Sequence, residues 1–104
     1  MKGTYLGEFQ EIVLLTILIL DGNAYGVSIQ SEIKKRVKRD ISRGALHAAL
    51  TRLEDKGYIK SAFGEATAER GGRRKRLYSV SKEGRHALEE ARDIRSALWG
   101  AVPG

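Results

Sequence analysis

Arg43, Gly44, His47, Ala48 and Thr51 recur at helical spacing and share one face of a helix expected from Arg43 to Lys56. Gly44 and Ala48 are small and allow close approach of another surface. Arg43, His47 and Thr51 bring hydrogen-bonding groups to the same face. An Arg forks onto guanine O6 and N7, and a Thr methyl meets the methyl of thymine, so such a face suits base edges in a DNA major groove. The same residues would also serve as the polar side of an ordinary surface helix; the two small residues favour the first reading. A second group, Arg70, Arg73, Arg74, Lys75 and Arg76, crowds around Gly71-Gly72. Like charge at that density repels itself, and a phosphate backbone relieves it. The glycine pair accepts the φ > 0 angles of a tight hairpin turn. Alternation along a hairpin would let these side chains reach phosphates and a minor groove together. A solvated loop without a ligand is the plainer alternative. Lys34, Lys35, Arg36, Lys38 and Arg39 form a third cluster, which either complements a helix dipole or adds phosphate contacts.

Other chemistry is poorly represented. His47 and His86 are the only histidines, and neither has a second ligand at metal spacing. Asp21 and Glu83 have no evident acid–base partner. There is no Gly-x-Ser-x-Gly elbow and no Gly-Lys-Ser/Thr phosphate loop, and Gly71-Gly72 alone is too little for a nucleotide site. The absence of Cys rules out a disulfide framework, a thiolate metal site or a Cys nucleophile. These features point away from an enzyme and call for no cofactor.

The elements that must carry the basic groups can be read from apolar spacing. A first helix from about Gly7 to Leu20 is apolar on nearly all sides and ends at Asp21-Gly22-Asn23. A helix of that kind must be covered all round, and a chain of 104 residues can hardly do so alone, which suggests a partner subunit. A second helix, from about Ala24 to Arg39, places Tyr25, Ile29, Ile33 and Val37 in one stripe. Ser42 caps the third helix, whose inner stripe is Leu46, Ala49, Leu50 and Leu53, with Gly57 just past its end. Tyr58–Phe63 and Leu77–Val80 read as strands on either side of the basic hairpin. Ser81 and Glu83 open a last helix with the stripe Leu88, Ala91, Ile94 and Leu98, continuing to Trp99.

That order, three helices, a strand, a basic hairpin, a strand and a helix, is mainly α with a small β-hairpin. It is the order of a winged helix-turn-helix domain with an added C-terminal helix. Residues 1–80 would form the winged DNA-binding part and residues 81–104 the C-terminal dimerisation helix of one continuous domain. The net charge of +6 fits a polyanionic partner. The apolar run Ile12–Leu20 is too short to span a membrane and is preceded by Glu8 and Glu11 where a signal peptide is basic, so a cytoplasmic protein without a membrane partner is expected. Trp99, close to the chain end, either packs at a subunit interface or offers a stacking surface to a flat ligand.

Four segments together resemble the PadR family of transcriptional regulators: Leu6-Gly7-Glu8-Phe9 before the first apolar helix, Ala24-Tyr25-Gly26-Val27-Ser28-Ile29, the stretch from Ser42 to Ile59, and Glu69-Arg70-Gly71-Gly72 through Gly84. The resemblance implies a bacterial or archaeal DNA-binding homodimer, usually a repressor, acting on a pseudo-palindromic operator. It places the five residues of the third helix and the basic hairpin residues on double-stranded DNA. It places Phe9, Ile12, Leu88, Ala91, Ile94, Leu98 and Trp99 at the dimer interface, where some relatives bind flat aromatic compounds, with Trp99 as the residue to watch. The family usually has Tyr where this chain has His47, and the single C-terminal helix matches its short branch. The rival expectation is a basic winged-helix adaptor for protein or RNA, since a fold does not fix a function.

Overall fold

The computed structural model describes residues 6–64 and 75–104. The elements are α1 (Glu8–Leu20), α2 (Gly26–Val37), α3 (Arg43–Asp55), β1 (Ile59–Phe63), β2 (Arg76–Val80) and α4 (Lys82–Ala101).

In α1, Val13, Leu14, Thr16 and Ile17 are buried, and Thr16 satisfies its hydroxyl on the Ile12 carbonyl at 2.7 Å. The helix stops where Asp21 and Gly22 turn left-handed, at φ 38° and 93°. Leu15 and Ile19 remain exposed, so one chain does leave part of this apolar helix uncovered.

Helix α2 is shorter at both ends than its sequence suggests. The carbonyl of Ala24 accepts the Tyr78 N–H at 2.8 Å, which ties Ala24 to β2, and Tyr25 after it is still extended, at φ −135° and ψ 172°. The helix starts only at Gly26, with Ser28 Oγ accepting the Tyr25 N–H at 2.9 Å. Lys38, at φ 59°, ends it after Val37, two residues short of the expected boundary at Arg39. Ile29 and Ile33 enter the core, but Tyr25 is only half-buried and Val37 is exposed, because the stripe runs past the ends of the packed region.

Helix α3 matches its expected span closely. Ser42 Oγ accepts the Ala45 N–H at 3.0 Å. At the other end Gly57 (φ 79°) allows Gly57 N–H to reach the Glu54 carbonyl and Tyr58 N–H to reach the Leu53 carbonyl, both at 2.9 Å. That pair of bonds satisfies carbonyls left open by the last turn and sends the chain directly into β1. Leu46, Ala49, Leu50 and Leu53 are all buried.

The two strands are antiparallel, with Ile59 opposite Val80, Ser61 opposite Tyr78 and Phe63 opposite Arg76. The ladder continues one step further, through Gly64 N–H to the Lys75 carbonyl at 2.7 Å. Arg70, Gly71, Gly72, Arg73 and Arg74 lie outside the described residues.

Helix α4 is locked at its start. Buried Ser81 donates its N–H to the Tyr58 carbonyl at 2.9 Å and its hydroxyl to the Gly57 carbonyl at 2.6 Å, while Oγ accepts the Gly84 N–H at 3.0 Å. Gly84 sits so close to Tyr58 that a Cβ there would lie 2.2 Å from the Tyr58 carbonyl oxygen. Ala87 and Leu88 are buried in this chain's own core, so Leu88, expected at a subunit interface, has an intrachain role. Phe9 and Ile12 also pack against that core. Beyond Ala91 the helix stays tied to α1 through the ion pair of Arg95 with Glu11, but Ile94, Leu98 and Trp99 are 57%, 65% and 75% exposed.

Candidate nucleic-acid interface

Burying Leu46, Ala49, Leu50 and Leu53 fixes the rotation of α3, and the opposite face follows. Arg43, Gly44, His47, Ala48 and Thr51 are all exposed, on one side of one rigid helix. Space around Gly44 is open, with no atom within 4 Å of where a Cβ would stand. Close approach to this helix is therefore unobstructed at the small residue where it was expected.

Arg43 is the first residue of α3, and it is held. Its Nε donates to Gln30 Oε1 of α2 at 3.2 Å, and Gln30 Nε2 donates to the Ile41 carbonyl at 2.7 Å. Nothing in the sequence signals this contact, because Gln30 and Arg43 lie 13 positions apart and meet only when the two helices cross.

Tyr25, Ser61, Glu54 and Phe63, which no local pattern connects with the basic group, position Lys75 and Arg76 at the ends of the strand pair. Lys75 Nζ stands 4.2 Å from the centroid of the Tyr25 ring, near enough for the ring face to attract the ammonium. Arg76 donates from Nε to Ser61 Oγ at 3.0 Å, approaches Glu54 at 3.8 Å and lies over the Phe63 ring at 5.4 Å. It is anchored across the strand pair, whereas Lys75 presents its charge on an aromatic support. Arg70, Arg73 and Arg74, the other basic residues of this group, lie outside the described residues. Burial pushes the Tyr78 hydroxyl above its ordinary range.

The basic cluster at the end of α2 is largely neutralised internally. Lys34 pairs with Asp40 at 3.1 Å, and Arg36 with Glu32 at 2.5 Å. Arg39 reaches across to α1, where Nη1 and Nη2 bond both oxygens of Glu8 at 3.2 and 3.0 Å. The hydrogen bond from Arg39, and then its charge, hold the Glu8 carboxyl below the usual carboxylate range, and Glu8 raises Arg39 in return. Lys38 Nζ donates to the Lys35 carbonyl at 3.2 Å, a contact to the open carbonyl end of α2. Among the described residues no three His, Asp or Glu side chains gather to hold a metal, and no helix is long and apolar enough to cross a membrane.

At the far end of α4, Arg95, Leu98, Trp99 and Val102 line an open hollow of about 300 Å³. Trp99 is thus set in an exposed apolar surface, not in a closed pocket.

Comparison with known proteins places this geometry. The Transcriptional regulator PadR-like family matches residues 14–90. An uncharacterized protein of Lysinibacillus sphaericus is 34% identical over 86 residues, covering 81% of this chain and 74% of its own length. A PadR family transcription regulator from Clostridium difficile superposes with a TM-score of 0.72 at 25% identity, over 88% of this chain and 92% of that one. A transcriptional regulator from Clostridium thermocellum gives 0.66 at 28% identity, over 90% and 92%. A PadR-like transcriptional regulator from Bacillus cereus, at 17% identity, shares the fold with a TM-score of 0.71 over 92% of each chain.

Proposed function

The chain belongs to the PadR-like family of transcriptional regulators, and from that premise we propose that it is a sequence-specific DNA-binding repressor that acts as a homodimer on a pseudo-palindromic operator. What supports this above all is the outer face of α3, where Arg43, Gly44, His47, Ala48 and Thr51 stand exposed together on a helix whose inner face is fixed in the core. In the proposed complex this helix enters the major groove, with Arg43 forking onto a guanine and Thr51 touching a thymine methyl. His47 accepts or donates a hydrogen bond at the same surface, and Gly44 and Ala48 let the backbone close on the groove. Lys75, with Arg70, Arg73 and Arg74, grips phosphates or the adjacent minor groove, and Arg76, tied to Ser61 and Glu54, supports it from the strand pair unless DNA draws it away from Glu54.

In this proposal, residues 1–80 form the DNA-binding unit and residues 81–104 the dimerisation helix of one continuous domain. Ala91, Ile94, Leu98 and Trp99 meet the partner subunit, which also covers Leu15 and Ile19 next to Phe9 and Ile12. Two copies then present α3 to half-sites about one helical turn apart. The hollow at Trp99, doubled across such an interface, suits a small planar aromatic effector that releases the operator. A cytoplasmic setting goes with that role.

The test is an anisotropy titration on labelled DNA from the gene's own upstream region, at about 150 mM salt and with excess random competitor, since non-specific binding falls steeply with salt. A complex that survives with Kd on the order of 10⁻⁸ M, the range of specific sites, bears the proposal out. Binding that random DNA removes completely, for this region and for any sequence selected from a random pool, overturns it in favour of a protein- or RNA-binding adaptor.

A further inference from the structure

Among the described residues the arginines divide by what holds them. Arg36, Arg39, Arg76, Arg85, Arg92 and Arg95 each lie against a carboxylate. Arg43 and Arg52 do not, and of these two only Arg43 is held by another side chain, the neutral amide of Gln30 at 3.2 Å from Nε.

That difference matters for an arginine at the start of an exposed helix. A carboxylate partner would orient the guanidinium and also cancel its charge. An amide orients it and leaves the charge intact. The bond uses only Nε–H, so the four N–H groups on Nη1 and Nη2 stay available as a fork. The amide itself has only one satisfactory orientation. Gln30 Nε2 donates to the Ile41 carbonyl at 2.7 Å, so Oε1 faces Arg43. Flipping the amide would set two donors against each other at Arg43 and two acceptors against each other at Ile41. The half-buried Gln30 thereby links α2, the turn at Ile41 and the first residue of α3.

We infer that Gln30 is a positioning residue that sets base discrimination through Arg43, an inference that rests on the DNA-binding function proposed above. Gln30 aims the guanidinium fork before DNA arrives. Without it Arg43 keeps its charge and its attraction for phosphates but loses the fixed direction that a bidentate base contact needs. Specificity at one base position therefore depends on Gln30, and affinity for DNA in general does not.

The experiment compares wild type, Gln30→Met, Gln30→Ala, Arg43→Ala and the Gln30→Met/Arg43→Ala double variant. The wild type selects an operator from a random pool. Kd is then measured for every variant on that operator, on its single-base substitutions and on random DNA. Gln30→Met, close in volume, should lose about tenfold in discrimination, the worth of one hydrogen bond to a charged group. The loss should fall on the base position that Arg43→Ala flattens, should leave random DNA unchanged, and should vanish in the Arg43→Ala background. In free protein the Arg43 Nε–H resonance, assigned by its loss in Arg43→Ala, should exchange slowly in wild type and rapidly in Gln30→Ala. Equal discrimination by Gln30→Met and wild type overturns the inference. So does a loss that persists without Arg43, a loss shared equally by random DNA, or Nε–H exchange that Gln30→Ala leaves unchanged. A wild type that selects no operator at all defeats the DNA-binding function itself, a result distinct from the others.

Discussion

Replacing Gly84 with Ala puts a methyl group where there is no room. The added Cβ stands 2.2 Å from the Tyr58 carbonyl oxygen, 3.0 Å from its carbonyl carbon and 3.0 Å from Val80 Cγ1. Ordinary non-bonded contacts lie at about 3.5 Å, so α4 must retreat by roughly 1 Å. The two Tyr58 atoms in the way are backbone and cannot rotate aside. Retreat stretches two hydrogen bonds that dock α4, Ser81 N–H to Tyr58 at 2.9 Å and Ser81 Oγ to Gly57 at 2.6 Å. Each is worth about 1 kcal/mol net, and overpacking of this kind costs about 1–3 kcal/mol. Ala returns about 1 kcal/mol as the better helix former. The net loss is about 2–4 kcal/mol, which in a domain of this size lowers the melting temperature by roughly 10–25 °C. Gly100→Ala in the same helix is the control, because nothing lies within 4 Å of its Cβ. It should leave the melting temperature level or raise it by a few degrees. Far-ultraviolet circular dichroism melts at one fixed protein concentration provide the measurement, since an associating protein melts higher when concentrated. A Gly84→Ala protein that melts with or above the wild type would refute the packing argument.

Other perturbations test other parts of the structure. Ser42→Ala removes the side-chain acceptor for the Ala45 N–H and should cost about 1 kcal/mol in urea denaturation; an unchanged midpoint would show that α3 does not depend on its cap. Because Arg39 holds Glu8 below the usual carboxylate range, the Glu8 contribution is present above the unfolded-state pKa and is lost as pH falls through the lower folded value. The urea midpoint of wild type should therefore fall more steeply than that of Glu8→Gln in acid, with the difference shrinking in high salt, and parallel curves would dismiss the pair. Leu98→Asp places a charge in the exposed stripe beside Trp99 and should convert a sedimenting dimer to monomer with helix content intact; an unchanged mass would remove this face from the interface.

Much of this molecule is legible in local patterns. The span of α3, its Ser42 cap, the Gly57 turn, the strand pair and the Ser81 start of α4 follow from residue types within a few positions of one another. Burial of Leu46, Ala49, Leu50 and Leu53 is written in helical spacing, and with it the exposure of Arg43, His47 and Thr51 on the opposite side. Local patterns mislead where a distant segment competes. The start of α2 slips to Gly26 because Ala24 is bonded to β2, an element more than 50 positions further along the chain. Leu88 belongs to an apolar stripe with Ile94 and Leu98, yet it is buried while they are exposed, because the domain's own core reaches only the first half of α4.

Which helical faces are apolar, where the chain turns and where positive charge gathers follow from side-chain chemistry and near-neighbour geometry, and so can be read along the chain. Which charges stay available depends instead on contacts between distant segments. Lys34, Arg36 and Arg39 look alike in sequence as a basic run, but each meets a carboxylate, one of them on a different helix. Arg43 meets an amide instead, and Lys75 an aromatic ring. An ionic or hydrogen-bonding partner 13 or 31 positions away is set by how helices cross, and no local periodicity encodes that crossing.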